Sequence, residues 1–168
     1  MLGIILQARM GSTRLPGKIL MSIGTKSLLE HILFRLQSLR HQTKLIVATT
    51  TLPKDDVVCG FCMDRSVDCY RGSELNVLER YVTCANKFGL TQIVRMTGDN
   101  PFTDIEELDN LIDLHVQNGA DYTHSFDALP VGVGAEIFTM RALEESYKKG
   151  TKDNHKEHVN EYIQEHPE

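Results

Sequence analysis

Short apolar runs alternate with amphipathic helical segments along the first two thirds of the chain, and this alternation limits the fold more than any other feature. Leu2-Gly-Ile-Ile-Leu6, Leu45-Ile-Val-Ala-Thr49, Asp68-Cys-Tyr-Arg71 and Gln92-Ile-Val-Arg-Met-Thr97 have the length and composition of buried strands. Between them lie helices with legible ends. Ser27-x-x-Glu30 is a capping box ahead of Leu28, Leu29, Ile32, Leu33, Leu36 and Leu39 at helical spacing. A short helix is expected after Asp55, and Ser73 is expected to cap a helix carrying Val77, Leu78, Tyr81, Val82, Ala85 and Phe88, with Gly89 at its close. Asp104-x-x-Glu107 opens another, ended by Gly119. Strands joined by helices in this way give βαβ units, a mainly parallel sheet and a three-layer α/β/α fold. Further strands are expected at Asp121-Tyr-Thr-His124 and Ala135-Glu-Ile-Phe138, and helices at 141–149 and 153–164. No internal repeat, low-complexity stretch or linker divides residues 1–168, which are expected to form one domain.

Charge is unevenly distributed. The net charge of −5 conceals +4 in residues 1–29, where Arg9, Arg14, Lys18 and Lys26 meet no acidic residue; the remainder sets 14 basic residues against 23 acidic ones. An acidic chain without a basic run suits neither a nucleic acid polymer nor an anionic membrane surface. No apolar stretch approaches the roughly 20 residues that span a bilayer, and the N-terminus lacks the pattern of a signal peptide, so a cytoplasmic protein is expected. A local positive segment points instead to a small anion.

Cys59-Gly-Phe-Cys62 has the C-x-x-C spacing of a redox motif or half a zinc site. A second ligand pair at suitable spacing is lacking except for His155 and His158, and Cys59 falls inside an amphipathic run, so these are read as core-facing or half-buried thiols.

In open sheets of this class ligands bind beyond the carboxyl ends of the strands. The loop after the first strand, Gln7-Ala-Arg-Met-Gly-Ser-Thr-Arg-Leu-Pro-Gly-Lys18, holds small residues that let backbone N–H groups approach oxygens (Gly11, Ser12, Gly17) and cations that offset charge (Arg9, Arg14, Lys18). It is not a P-loop: Ser12 stands where the first glycine belongs, and Ile19 where the Mg²⁺-binding hydroxyl belongs. Thr97-Gly98-Asp99-Asn-Pro101 follows a buried strand, and its carboxylate is either a turn former or a ligand for Mg²⁺.

The twelve-residue loop resembles the signature of the cytidylyltransferase family that includes spore coat polysaccharide biosynthesis proteins of the SpsF kind and, more distantly, the synthetases of CMP-linked Kdo and sialic acid. Thr49-Thr-x-x-x-x-Asp55-Asp56, Arg71-Gly-Ser-Glu74, Val77-Leu-Glu-Arg-Tyr81, Arg95-x-Thr-Gly-Asp99-x-Pro101 and Glu157-His-Val-x-x-Tyr-Ile163 follow in the same order as in that family. The resemblance implies a GT-A-like nucleotidyltransferase that transfers a nucleotidyl group, CMP foremost, from a nucleoside triphosphate to a sugar or sugar-phosphate acceptor. It implies Arg14 and Lys18 on the triphosphate and the leaving pyrophosphate, and Mg²⁺ on Asp99. Nucleotide contacts are implied for Leu6, Gln7, Ala8, Arg9, Gly11, Ser12, Arg71, Gly72, Ser73 and Gly98. Glu136 is the expected second metal ligand and an acceptor contact, and His158 a further acceptor contact. Where relatives carry Gly-Leu-Asp-Val-Glu-Val-Phe, this chain has Gly134 in place of the Asp. Relatives continue past the equivalent of Ile163, so the resemblance also implies a C-terminal segment beyond these residues, and a homodimer. Guanylyl transfer, a non-catalytic nucleotide-binding role and a thiol-disulfide module on Cys59 and Cys62 are the competing expectations.

Overall fold

The four apolar runs form strands β1 (Leu2–Gln7), β4 (Lys44–Thr50), β5 (Asp68–Gly72) and β6 (Gln92–Thr97) of the computed structural model, which describes residues 1–167. A small hairpin, β2 (Ser22–Ile23) with β3 (Lys26–Ser27), precedes α1 (Leu28–Leu36). Then come α2 (Asp56–Asp64), α3 (Val77–Phe88), α4 (Ile105–Asn118), β7 (Tyr122–His124), β8 (Glu136–Thr139), α5 (Met140–Lys149), α6 (Asp153–Glu157) and α7 (Glu161–Glu165). Six strands make one sheet in the order β5-β4-β1-β6-β8-β7. The first four in that order are parallel, and β8 runs antiparallel to both its neighbours. The expected α/β/α architecture is thus observed, with one reversed strand.

Both faces of the sheet are covered because strand side chains alternate in direction. Ile4, Leu6, Val47 and Val94 pack with Ile32 of α1, Val58 of α2 and Leu108 of α4. Ile5, Ile46, Ala48 and Ile93 pack with Tyr81 of α3, Leu143 of α5 and Val159. The Tyr81 hydroxyl lies 3.2 Å from the carbonyls of Ile5 and Met96, tying α3 to the two central strands.

Helix ends follow the sequence closely, with two exceptions. Ser27 and Glu30 form the reciprocal capping box, and Gly89 and Gly119 close α3 and α4 in the left-handed conformation. The cap of α3, however, is Asn76, whose side chain accepts from the Glu79 N–H at 2.9 Å. Ser73 lies one turn earlier and accepts from the Asn76 N–H at 3.0 Å. The expected helix over 153–164 is broken into α6 and α7, because the chain turns inward to bury Val159 completely. Among the described residues no helix is long and apolar enough to cross a membrane.

Cys59 is half-buried and Cys62 buried on α2, as expected; the Sγ of Cys59 lies 3.2 Å from that of Cys69 on β5. Burial and the neighbouring Cys69 push the Cys59 thiol up to about 11, the opposite of a reactive thiolate.

His115 of α4 is 1% exposed, with Nδ1 2.8 Å from the Thr123 hydroxyl. Burial holds its imidazole below the ordinary value, against the pull of Asp121. The unfolded chain therefore takes up this proton more readily than the folded one, so stability falls as pH drops below about 6.5. In thermal melts between about pH 7 and pH 5, His115→Gln should show a shallower decline than the parent protein; an equally steep decline would contradict this assignment.

Candidate active site

The carboxyl ends of β1, β4, β5 and β6 lie side by side, and the loops that leave them meet there. The loop after β1 is held by one residue. The Met10 N–H donates to Asp55 Oδ1 at 2.7 Å, and the Met10 carbonyl accepts from the N–H groups of Ser12 (3.0 Å) and Gly17 (2.9 Å). Asp55 is fully buried and also accepts from the Thr50 hydroxyl, so the end of β4 dictates where the loop starts. Gly17 adopts φ 74°, a left-handed conformation that glycine reaches without strain, and turns the chain so that Lys18 points back across the sheet.

Lys18 Nζ reaches Asp99 Oδ2 at 2.5 Å. Asp99 sits in the turn after β6, and Gly98 makes that turn possible: a Cβ on it would lie 2.9 Å from the Ala8 Cβ and 3.1 Å from the Gln7 carbonyl. The Gly98 N–H donates to that same carbonyl at 2.7 Å. Partial burial raises the Asp99 carboxyl, but hydrogen bonds from Lys18 and Thr97 outweigh it and hold the group below the usual carboxylate range. Asp99 is therefore an ionised, half-exposed oxygen donor.

Three further cations border the same end. Arg14 is exposed and makes no ion pair among the described residues. Arg9 Nη1 lies 3.9 Å and Lys54 Nζ 3.2 Å from Glu74 Oε1, which joins the loop after β1 to the loop after β5. Gly11 faces Lys54, whose Nζ lies 2.6 Å from where a Cβ would stand.

Several expected contacts are redirected. Leu6 is paired on both sides by β4 and β6, and the Ala8 N–H donates to the Ala48 carbonyl at 3.0 Å, so these backbone groups serve the sheet. The Gln7 side chain instead presents Oε1, buried without a partner. Ser12 Oγ accepts from the Leu15 N–H at 3.3 Å and folds the loop on itself. The Arg71 guanidinium is committed to the carbonyls of Thr50 and Leu52, both at 3.0 Å, and to Asp56 Oδ1 at 2.6 Å. These contacts brace the site and commit three of the five guanidinium donors to the fold. Gly72 and Ser73 remain at the rim, with the Ser73 hydroxyl held by Asn76.

Glu136 does not join Asp99. It pairs in register with Arg95, four residues before Asp99 and hence about 13 Å along the strand. Its carboxylate is 1% exposed, in an ion pair with Arg95 and accepting from the Tyr122 hydroxyl at 2.7 Å. The expected second metal ligand is thus a buried brace between β6, β7 and β8. Nor can position 134 supply that acid without adjustment, since a Cβ there would lie 3.0 Å from the Phe126 ring and 3.1 Å from Ser125 Oγ. His158 is exposed at the end of α6, which packs on α3 and α5, and has no hydrogen bond or ion pair with Lys18 or Asp99.

The family model described as cytidylyltransferase matches residues 3–168. The chain belongs to the cytidylyltransferase family. It is 39% identical to the spore coat polysaccharide biosynthesis protein SpsF of Bacillus subtilis, over 97% of this chain and 70% of that protein. A cytidylyltransferase from Leptospira borgpetersenii superposes with a TM-score of 0.93 at 34% identity, covering 99% of this chain and 71% of that one. The fold also matches CMP:2-keto-3-deoxy-manno-octonic acid synthetase in complex with CTP, with a TM-score of 0.73 at 15% identity over 98% of this chain and 85% of that one. This cytidylyltransferase is a nucleotidyltransferase by class.

Within this cytidylyltransferase, the residues that hold the loop were less legible in sequence than those on it. Asp55 was visible only as part of the Thr49-to-Asp56 motif; its bond to Met10 spans 45 residues. Removing it with Asp55→Ala leaves the Met10 N–H and the Thr50 hydroxyl without their partner. Denaturant unfolding should show a loss of about 2–4 kcal/mol; a loss under about 0.5 kcal/mol would show that Asp55 does not hold the loop.

Proposed function

We propose that this chain transfers the cytidylyl group of CTP to a sugar or sugar-phosphate acceptor, releasing pyrophosphate, in the cytoplasmic synthesis of a surface polysaccharide or other glycan. The Lys18–Asp99 pair supports this reading most strongly. It sets a lysine and an ionised carboxylate 2.5 Å apart at the carboxyl edge of a parallel sheet, beside a loop carrying Arg9 and Arg14.

The residues fit a divalent cation such as Mg²⁺, which commonly takes one or two carboxylates and completes its shell with substrate phosphates and water. Among the described residues no group of three metal-binding side chains exists, so Asp99 would hold the ion together with oxygens brought by the nucleotide. Bound there, the cation supplies positive charge to the phosphate oxygens.

The chain's own groups do the rest. Nucleotide entry breaks the Lys18–Asp99 pair, and Lys18 turns to the phosphates. An acceptor oxygen attacks the α-phosphorus in line as the bond to pyrophosphate breaks, and the charge that gathers on pyrophosphate is met by Lys18 and Arg14. The Gly72–Ser73 turn and the Gln7 side chain border the base and ribose. No side chain forms a covalent intermediate; positioning and charge neutralisation supply the rate.

The test is pyrophosphate release from each of four nucleoside triphosphates with Mg²⁺ and a panel of sugars and sugar phosphates. CTP should be used in preference to the others. Lys18→Ala and Asp99→Asn should each lower turnover about 100-fold or more, with melting temperatures close to the parent's because this pair is partly exposed. Release at the parent rate in either variant would overturn these roles, and release from no triphosphate would overturn the reading.

A further inference from the structure

The buried face of α3 carries a guanidinium that pairs with no carboxylate among the described residues. Arg80 is 2% exposed and forms no ion pair among the described residues, unlike the half-buried Arg95, which has Glu136. Its Nη1 donates to the Ser73 carbonyl at 2.7 Å, and its Nε is buried with no partner. Burial depresses its pKa; the polar Tyr81 nearby opposes that, and the positive charge of Arg9 adds to it. The strand beneath is shaped around this side chain. A Cβ on Gly72 would lie 2.9 Å from the Arg80 Cγ and 3.0 Å from the Tyr70 ring, so β5 is bare where Arg80 crosses it.

A buried cation without a counter-charge destabilises the free protein, and an apolar side chain of similar volume would serve the core better. Arg9 adds like charge to the surroundings of Arg80, and its own partner Glu74 lies 3.9 Å away and is shared with Lys54. Asp55 adds some opposing negative charge but forms no ion pair with Arg80, and its oxygens accept from the Met10 N–H and the Thr50 hydroxyl. The arrangement makes sense when the missing negative charge arrives with a ligand.

We propose that Arg80 is a positioning residue for the nucleotide: it fixes the Gly72–Ser73 turn through the Ser73 carbonyl, and the phosphates of the bound nucleotide supply the counter-charge it lacks. The inference rests on the nucleotide site proposed above. Because Arg80 is enclosed, its charge acts through a poorly screened medium without touching the ligand.

The experiment compares the parent protein with Arg80→Met and Arg80→Lys by thermal melting, by calorimetric titration with CTP and by NMR titration with cytidine. Arg80→Met should melt at or above the parent temperature yet bind CTP about tenfold or more weakly, while cytidine affinity falls about threefold or less. Arg80→Lys should recover much of the CTP affinity, because it keeps the charge. Unchanged CTP binding in Arg80→Met overturns the proposal. So does an equal loss for CTP and cytidine with a lower melting temperature, which would make Arg80 a structural brace. If the parent protein binds no CTP, the underlying reading fails; if the parent binds and the variants bind alike, only the inference about Arg80 fails.

Discussion

An ion pair between the loops that follow two neighbouring parallel strands organises this molecule's working end. Lys18 and Asp99 lie 81 positions apart in sequence, yet β1 and β6 bring their loops to the same sheet edge, where Nζ and Oδ2 stand 2.5 Å apart. The contact depends on three backbone features: the left-handed turn at Gly17, the close approach that only Gly98 allows, and the anchoring of Met10 by Asp55. As an exposed pair it adds little stability. Its importance is that Lys18 helps hold Asp99 as an ionised carboxylate, at a place where a triphosphate and its cation can exchange partners with the pair.

The charges around that pair fall into two kinds. Arg71 with Asp56 and Arg95 with Glu136 are braces, each ion-paired within the fold, Arg71 also donating to two carbonyls and Glu136 also accepting from the Tyr122 hydroxyl. Among the described residues Arg14 has no ion-pair partner, and Arg9 and Lys54 share the carboxylate of Glu74. Surplus positive charge therefore remains beside the loop after β1, as the +4 of residues 1–29 foretells. Arg80 extends that surplus into the interior.

Much of the fold was legible because its signals are local. The capping box at Ser27 and Glu30, the closing glycines at 89 and 119 and the apolar runs of β1 and β4 each act within a few residues. What sequence concealed depends on distant partners. The reversal of β8 follows from its pairing with β6 and β7, and Ser73 yielded its capping role to Asn76 within the geometry of the turn. The same holds in the site. Lys18 and Asp99 stood out because glycine-rich loops announce themselves, whereas Arg71 and Glu136 looked like ligands until their partners, Asp56 with two carbonyls and Arg95 with Tyr122, were in view. A charged side chain in such a motif has the same letter whether it binds a substrate or braces the fold.

The most direct measurement is a crystal structure of the protein with CTP and Mn²⁺ as an anomalous stand-in for the divalent cation. The expected result is a Mn²⁺ peak on Asp99, the triphosphate on Lys18 with the Lys18–Asp99 pair opened, and Glu136 still bound to Arg95. A Mn²⁺ peak on Glu136, or a triphosphate bound away from Lys18 with that pair intact, would contradict it.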